Sequence, residues 1–197
     1  MSIIRVAADL GHYIGDAHVP LHTTANYNGQ YSNQLGIHAL WETHVYELTK
    51  SDREIRKVNA HYIYDIDMYS DSIISISHSL VDEVLLMERT VRLRDGAPVV
   101  WGYRNRARTL DMLPTPAFCR EYSDSLDNMV QIRFNDCVDA IASVWYSAWV
   151  NVGSPDLEKF TREPNHDRSR LLQMLLELFW GEKLPNRQKQ DTLLLLQ

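Results

Sequence analysis

The chain has 197 residues, with 20 Lys+Arg against 26 Asp+Glu and a formal net charge of −6. That length suits one domain with at most an appendage, and 45% hydrophobic residues suffice for a core, which excludes a disordered or fibrous chain. The acidic balance excludes a general nucleic-acid-coating protein, the longest aliphatic run (Leu193 to Leu196) is far too short to span a bilayer, and two cysteines make no disulfide scaffold.

Ile3, Ile4, Ala7, Leu10, Ile14 and Ala17 recur at spacings of three and four, which predicts a helix over 2–18 that Pro20 terminates. Residues 23–36, rich in Thr, Asn, Gln and Gly, read as a loop, and a second helix is predicted over 37–49. The pattern Ile73, Ile76, Leu80, Val84, Met87 and Val91 predicts an amphipathic helix over 70–92, with Asp71 near its cap. Gly96, Pro98, Gly102, Pro114 and Pro116 make 93–116 a long connection. A further helix is predicted over 117–152, its stripe including Tyr122, Leu126, Met129, Cys137, Ile141, Val144 and Ala148. On one such helix Cys119 and Cys137 would lie about 27 Å apart at 1.5 Å per residue, too far to bond, so both read as buried thiols. The stretch 154–166 is polar and contains proline, a boundary. Beyond it Leu171, Leu172, Leu175, Leu176 and Phe179 predict a short tail helix that would pack on the domain or on another copy. With no internal repeat and no run of strands, the fold class reads all-α.

Histidine is unevenly spread. Five of the 8 (His12, His18, His22, His38 and His44) lie within 33 residues. His12 and Asp16 are i and i+4, as are His38 and Glu42, so each pair shares a helix face with Cβ atoms roughly 5–6 Å apart. His22 follows Pro20, where the chain can turn back toward the first pair. Imidazole nitrogens and carboxylate oxygens gathered from two helices form a natural zinc ligand set, and three protein ligands leave one position for water. His18 and His44 each stand two residues past an acid, about 200° round a helix and away from the ligand face, so they read as solvent-facing or supporting histidines.

The run HYIGDAHVPLH (His12 to His22), followed by NYNGQYSNQLGIHALWE (Asn26 to Glu42), resembles the zinc-dependent phospholipase C and single-strand-specific nuclease superfamily, most closely its bacterial nuclease-like branch. The later segment VWYSAWVNVGSPDL (Val144 to Leu157) is similar to the end of that family's domain. The resemblance implies an all-α, multi-helix fold with zinc ions at the bottom of a cleft and hydrolysis of phosphodiester bonds by zinc-activated water. By position, it makes His12 a ligand of a first zinc, Asp16 a carboxylate bridging the first and third zincs and orienting the nucleophile, and His22, His38 and Glu42 the ligands of a second. Complete members hold three zincs; the other ligands, an N-terminal Trp, a nearby His and a further Asp and His, lie upstream of the HYIGD helix. The implied inventory is one complete site (His22, His38, Glu42), two of four ligands at the first, and Asp16 alone at the third. The HYIYDID run (His61 to Asp67) offers another His and Asp, but in the wrong order along the chain.

On this reading 1–157 is the C-terminal part of a nuclease- or phospholipase C-like domain whose N-terminal portion is missing, and 158–197 is a helical tail. Members are typically secreted or periplasmic, whereas the start Met1-Ser2-Ile3-Ile4-Arg5 has no signal-peptide pattern. Tyr27, Asn28 and Tyr31, with Trp41 nearby, are candidates to contact a base or a headgroup. Asn26, Gln30, Asn33 and Gln34 read as substrate contacts or as the side chains of Asx turns. Arg92, Arg94, Arg104, Arg106 and Arg108 read either as a phosphate-gathering patch or as a solvated connection. The expected substrate is single-stranded nucleic acid or a nucleotide, with a phospholipid headgroup second; a non-catalytic helical chain binding at most one zinc is the rival from another class.

Overall fold

The computed structural model describes residues 3–49, 57–106 and 109–156. The predicted tail helix and the rest of 158–197 lie outside these residues. The described chain is mostly helical, as its patterning predicts.

Helix α1 (Ile3–Ala17) leads into a 3₁₀ turn (Pro20–Thr23). After the loop, α2 (Ile37–Ala39) continues through a π-helical turn (Leu40–Val45) into α3 (Tyr46–Thr49). Then come α4 (Ile66–Ser79), α5 (Val81–Leu93), strands β1 (Trp101–Arg106) and β2 (Thr109–Pro114), α6 (Pro116–Ser125) and α7 (Met129–Asn151).

Three sequence expectations need correction. The stripe over 70–92 is two helices that break at Leu80, whose N–H closes α4 in a tightened turn on the Ser77 carbonyl while α5 restarts with Asp82 and Glu83 in its first turn. The helix expected over 117–152 is also two, because Asp127 and Asn128 take left-handed φ of 46° and 64°, a conformation short polar side chains tolerate. Cys119 and Cys137 therefore stand on different helices. The 93–116 connection contains an antiparallel hairpin, with Tyr103 opposite Met112 and Trp101 opposite Pro114.

Small residues decide how α1 packs. Gly11 is buried, and a Cβ there would meet Trp145 at 3.6 Å and Ile141 at 3.7 Å, while Gly15 faces the Cys137 sulfur and the Trp145 indole donates to the Ala7 carbonyl at 3.1 Å. Pairing 7 with 145, 11 with 141 and 15 with 137 sets α1 antiparallel to α7. The larger apolar residues Ile4, Val6 and Leu10 remain exposed. A second centre of packing joins Leu21, Ile37, Val45, Val84, Phe118 and Tyr122, all nearly or wholly buried, beneath the turn and the π-helical segment. Tyr122 satisfies its hydroxyl there by donating to the Val84 carbonyl at 2.9 Å.

Cys119 is buried and Cys137 half-buried, and neither is in a disulfide. Burial pushes the Cys137 thiol up to about 12. Native protein at pH 8 should therefore react with iodoacetamide at Cys137 roughly a thousandfold more slowly than an ordinary thiol, whereas urea-unfolded chain should label both cysteines; mass spectrometry of the labelled chain checks this.

Candidate metal centre

Two elements bring the donors together. Pro20 ends the extended residue Val19 and opens the 3₁₀ turn that swings His22 back over α1, and Thr23 closes the turn by donating to the Pro20 carbonyl at 2.7 Å. His38 and Glu42 come from the second helix, with Glu42 on the π-helical turn, a widened backbone often found at functional sites. The buried Ile37, Leu40, Trp41 and Val45 anchor that helix and leave His38 and Glu42 at the surface beside His22.

The three ligand atoms converge. His22 Nε2 lies 3.1 Å from His38 Nε2 and 3.5 Å from a Glu42 oxygen, and His38 Nε2 lies 2.8 Å from the same oxygen. Donors about 2.0–2.1 Å from a tetrahedral zinc stand roughly 3.3–3.4 Å from one another, so the spacing suits one ion. Among the described residues this is the group of three or more such side chains able to hold a metal.

The outward nitrogens are also engaged. His38 Nδ1 faces the Tyr27 carbonyl at 3.3 Å, and His22 Nδ1 faces Asp16 at 3.6 Å, an electrostatic contact longer than a hydrogen bond. With metal bound, a proton on Nδ1 of each ring would leave both Nε2 lone pairs to the ion, whereas without metal an Nε2 proton can bond the Glu42 carboxylate. An outer acceptor behind each ligating imidazole is the usual support of a metal site.

Asp16 and His12 form the adjoining pair, 3.4 Å apart on α1. Asp16 thus stands between His12 and His22, and Glu42 lies on the far side of His22. His61 sits elsewhere, its Nδ1 3.3 Å from the Ser143 hydroxyl on α7. His18 corrects the expectation of a solvent-facing residue: it is buried with Nδ1 2.7 Å from the Ile14 carbonyl, and burial pulls its pKa down so that the ring is held neutral. The reason is that α1 ends at Ala17, so the helical angle that would turn His18 outward does not extend to it. His44 is half-buried.

The amide side chains of the loop hold the loop itself. Asn26 accepts from the Tyr31 N–H and donates to Ser32, Asn28 accepts from the Gly36 N–H, and Gln30 bonds the Asn28 N–H. Gly29, at φ +73°, has no room for a side chain, since a Cβ would lie 2.3 Å from the Gln34 carbonyl oxygen. Gln34 is buried and donates to Glu88 and to the Leu85 carbonyl, tying the loop to α5. Arg92 lies 3.0 Å from Glu88 as an ion pair, off the N–H axis. Tyr27 and Tyr31 remain exposed, the Tyr27 ring 6.1 Å from that of His38. Of the five arginines, Arg92 pairs with Glu88 and Arg94 with Glu121.

Sequence reasoning missed the residues that position these groups. His78 on α4 faces the Thr23 carbonyl at 3.1 Å, and Ser77 donates to the Ala17 carbonyl at 2.5 Å, so α4 braces both ends of the turn carrying His22. Arg133 reaches the same place from α7, donating to the His18 carbonyl at 3.2 Å and to Ser77 at 2.6 Å. No local motif marks these contacts, because they span 55 to 115 positions of chain.

Hydrogen bonds from His22 and His38 hold the Glu42 carboxyl down at about 2, and the bond to Glu42 raises the His22 pKa above its ordinary 6.5. Glu42 therefore adds stability that is complete above about 4.5 and lost as pH falls toward 2. His22 adds stability that is complete below 6.5 and lost as pH rises through its elevated value. Metal-free protein should thus gain most from the cluster between about pH 4.5 and 6.5, and Glu42→Gln should flatten both limbs of a pH series of thermal melts.

No family model, no curated protein and no solved structure matches the chain. No described helix is long and apolar enough to cross a membrane.

Proposed function

We propose that the chain is a zinc-dependent phosphodiester hydrolase of the phospholipase C and single-strand nuclease type, acting on single-stranded nucleic acid or nucleotides. The observation that carries this reading is the convergence of His22 Nε2, His38 Nε2 and a Glu42 oxygen within 2.8–3.5 Å of one another, each imidazole backed by an acceptor at its other nitrogen. Zinc bound there supplies an activated water near neutral pH and offsets the charge that develops on the phosphoryl oxygens.

The chain's own residues divide the remaining work. Asp16 steadies His22 and, with His12, presents one oxygen and one nitrogen for a neighbouring cation. That placement also suits it to accept a proton from the attacking water. Tyr27 and Tyr31 offer ring faces beside His38 on which a base can stack. Asn28 shapes the loop between them. In the family the fold continues upstream of this helix, and Ile4, Val6 and Leu10 on α1 are exposed apolar residues against which such a segment would pack. A phospholipid headgroup is the second substrate class, and a one-zinc structural protein is the reading from another class.

The test is hydrolysis by zinc-loaded full chain of a single-stranded oligonucleotide and, separately, of lecithin. Release of nucleotides, abolished by a chelator and restored by zinc, is the expected result. Release of phosphocholine alone would transfer the reading to a phospholipase C. Stoichiometric zinc with neither product would leave a structural metal site and overturn the hydrolase.

A further inference from the structure

Helix α1 turns small residues toward α7 and large apolar ones toward solvent. Ala7, Gly11 and Gly15 meet α7, whereas Val6, Leu10 and Tyr13, spaced by four and three, share another side about 100° or more away. These three are 48%, 38% and 70% exposed, so a second apolar face of α1 is left largely open among the described residues. Single exposed apolar residues are ordinary, but a stripe at helical spacing is the pattern of a face that packs.

The chain leaves the described part of the fold beside this helix. Trp145 and Trp149 stand one turn apart on one side of α7, and Trp145 donates to the Ala7 carbonyl of α1. Gly153 and Ser154 take left-handed φ of 88° and 53°, and beyond them the Trp149 indole holds the Pro155 carbonyl at 2.9 Å. Since α1 and α7 run antiparallel, the exit at Pro155 stands by the first turn of α1.

Beyond Asp156 the sequence runs on for 41 residues. Spacing predicts a helix in which Leu171, Leu172, Leu175, Leu176, Phe179 and Trp180 are apolar and only Arg170, Gln173 and Glu177 form a narrow polar side. Such a helix is marginal alone in water and needs a surface to cover it. The 14 residues from 157 to 170 span about 20 Å as a flexible linker, and α1, at 15 residues, is about 22 Å long. A linker that short gives its own tail an effective concentration in the millimolar range, so at micromolar protein a second copy is outcompeted.

We propose that the Leu171–Trp180 segment docks in cis on the Val6–Leu10–Tyr13 face of α1. The docked segment would border the His12–Asp16 pair, because Tyr13 stands between those two residues in the chain. The inference stands on α1 and the tail alone and not on the hydrolase reading.

The experiment is hydrogen–deuterium exchange of the full chain at micromolar concentration, with sedimentation on the same samples. Amides of 171–180 should exchange at least about tenfold more slowly than an unstructured chain. Val6→Lys with Leu10→Lys should bring them within about threefold of the unstructured rate while α1 keeps its protection, since lysine suits a helix at least as well as valine and leucine do on a solvent-facing side. If α1 itself loses protection, Leu10→Lys alone is read in its place. Three results would overturn the proposal. Unstructured exchange over 171–180 in the parent would leave the face to a segment preceding α1. Protection that the substitutions leave unchanged would put the tail elsewhere. Protection lost on dilution, together with a dimer in sedimentation, would give the face to a second copy. Zinc uptake and hydrolysis of a soluble phosphodiester are read on the same samples, so failure of tail docking and failure of the hydrolase reading are separate outcomes.

Discussion

Zinc at a hundredfold excess over its Kd should raise the melting temperature of the metal-free chain by about 5–10 °C, and His22→Ala should erase the rise. Binding to the folded state alone contributes about 2.7 kcal/mol at that excess, and a domain of this size gains roughly 2–4 °C per kcal/mol. His22 is the right residue to remove because its Nε2 is within 3.5 Å of both other donors, so its loss leaves only two protein ligands. Metal analysis should fall in parallel, from about one zinc per chain to near none. A residual zinc unchanged in His22→Ala would exclude this centre outright.

Neighbouring substitutions grade the same experiment. Asp16→Asn removes the charge facing His22 Nδ1 and should weaken zinc roughly 10–100-fold without abolishing it, the usual cost of losing an outer support. His12→Ala should leave a single-zinc stoichiometry unchanged, because His12 reaches Asp16 and lies outside the three-donor group. Two or more zincs in the parent, with the additional metal lost in His12→Ala, would instead show that the His12–Asp16 pair ligates. Affinity should also fall as pH drops below the raised His22 value, since the proton must leave before metal enters.

The closeness of His22, His38 and Glu42 was legible because its information is local. Two i,i+4 pairs and a histidine after a helix-ending proline fix which side chains can meet once two helices are adjacent. The same logic failed for His18, where helical geometry was extended one residue past the end of the helix. The breaks at Leu80 and at Asp127–Asn128 were hidden for a related reason: the apolar spacing continues through each of them, so periodicity alone sees one helix. Asp-Asn before Met129 was a readable signal, since these residues accept left-handed backbone. The hairpin was obscured by arginines and by the absence of an Asn-Gly turn, although Trp101, Tyr103, Leu110 and Met112 alternate as a strand face requires. What no pattern could give is the bracing of the His22 turn, which depends on residues brought from α4 and α7 by the fold as a whole.

That bracing sets the second large effect. Arg133→Met should cost about 3–4 kcal/mol, a fall in melting temperature of roughly 6–16 °C, and should weaken zinc binding although Arg133 touches no ligand. Arg133 is 4% exposed, and its guanidinium gathers the His18 carbonyl, the Ser77 hydroxyl and, at 3.5 Å, Asp136. Burial lowers its pKa, and Asp136 acts in the opposite sense to keep it charged. Its acceptors are the His18 carbonyl, one residue past the end of α1, and the Ser77 hydroxyl, which in turn donates to the Ala17 carbonyl at that helix end, where the helix presents its negative pole. Methionine fills the space but strands those acceptors, and unpartnered buried polar groups cost about 1–3 kcal/mol each. Arg133→Lys should recover only part of the loss, since an ammonium cannot fork between a carbonyl and a hydroxyl as the guanidinium does. Arg120→Met, on the exposed side of α6, should move stability by no more than about 0.5 kcal/mol and leave zinc binding alone. If Arg133→Met lowered the melting temperature while zinc affinity held, the turn carrying His22 would be set by Pro20, Thr23 and His78 without help from α7, and the link between the buried arginine and the metal group would be severed.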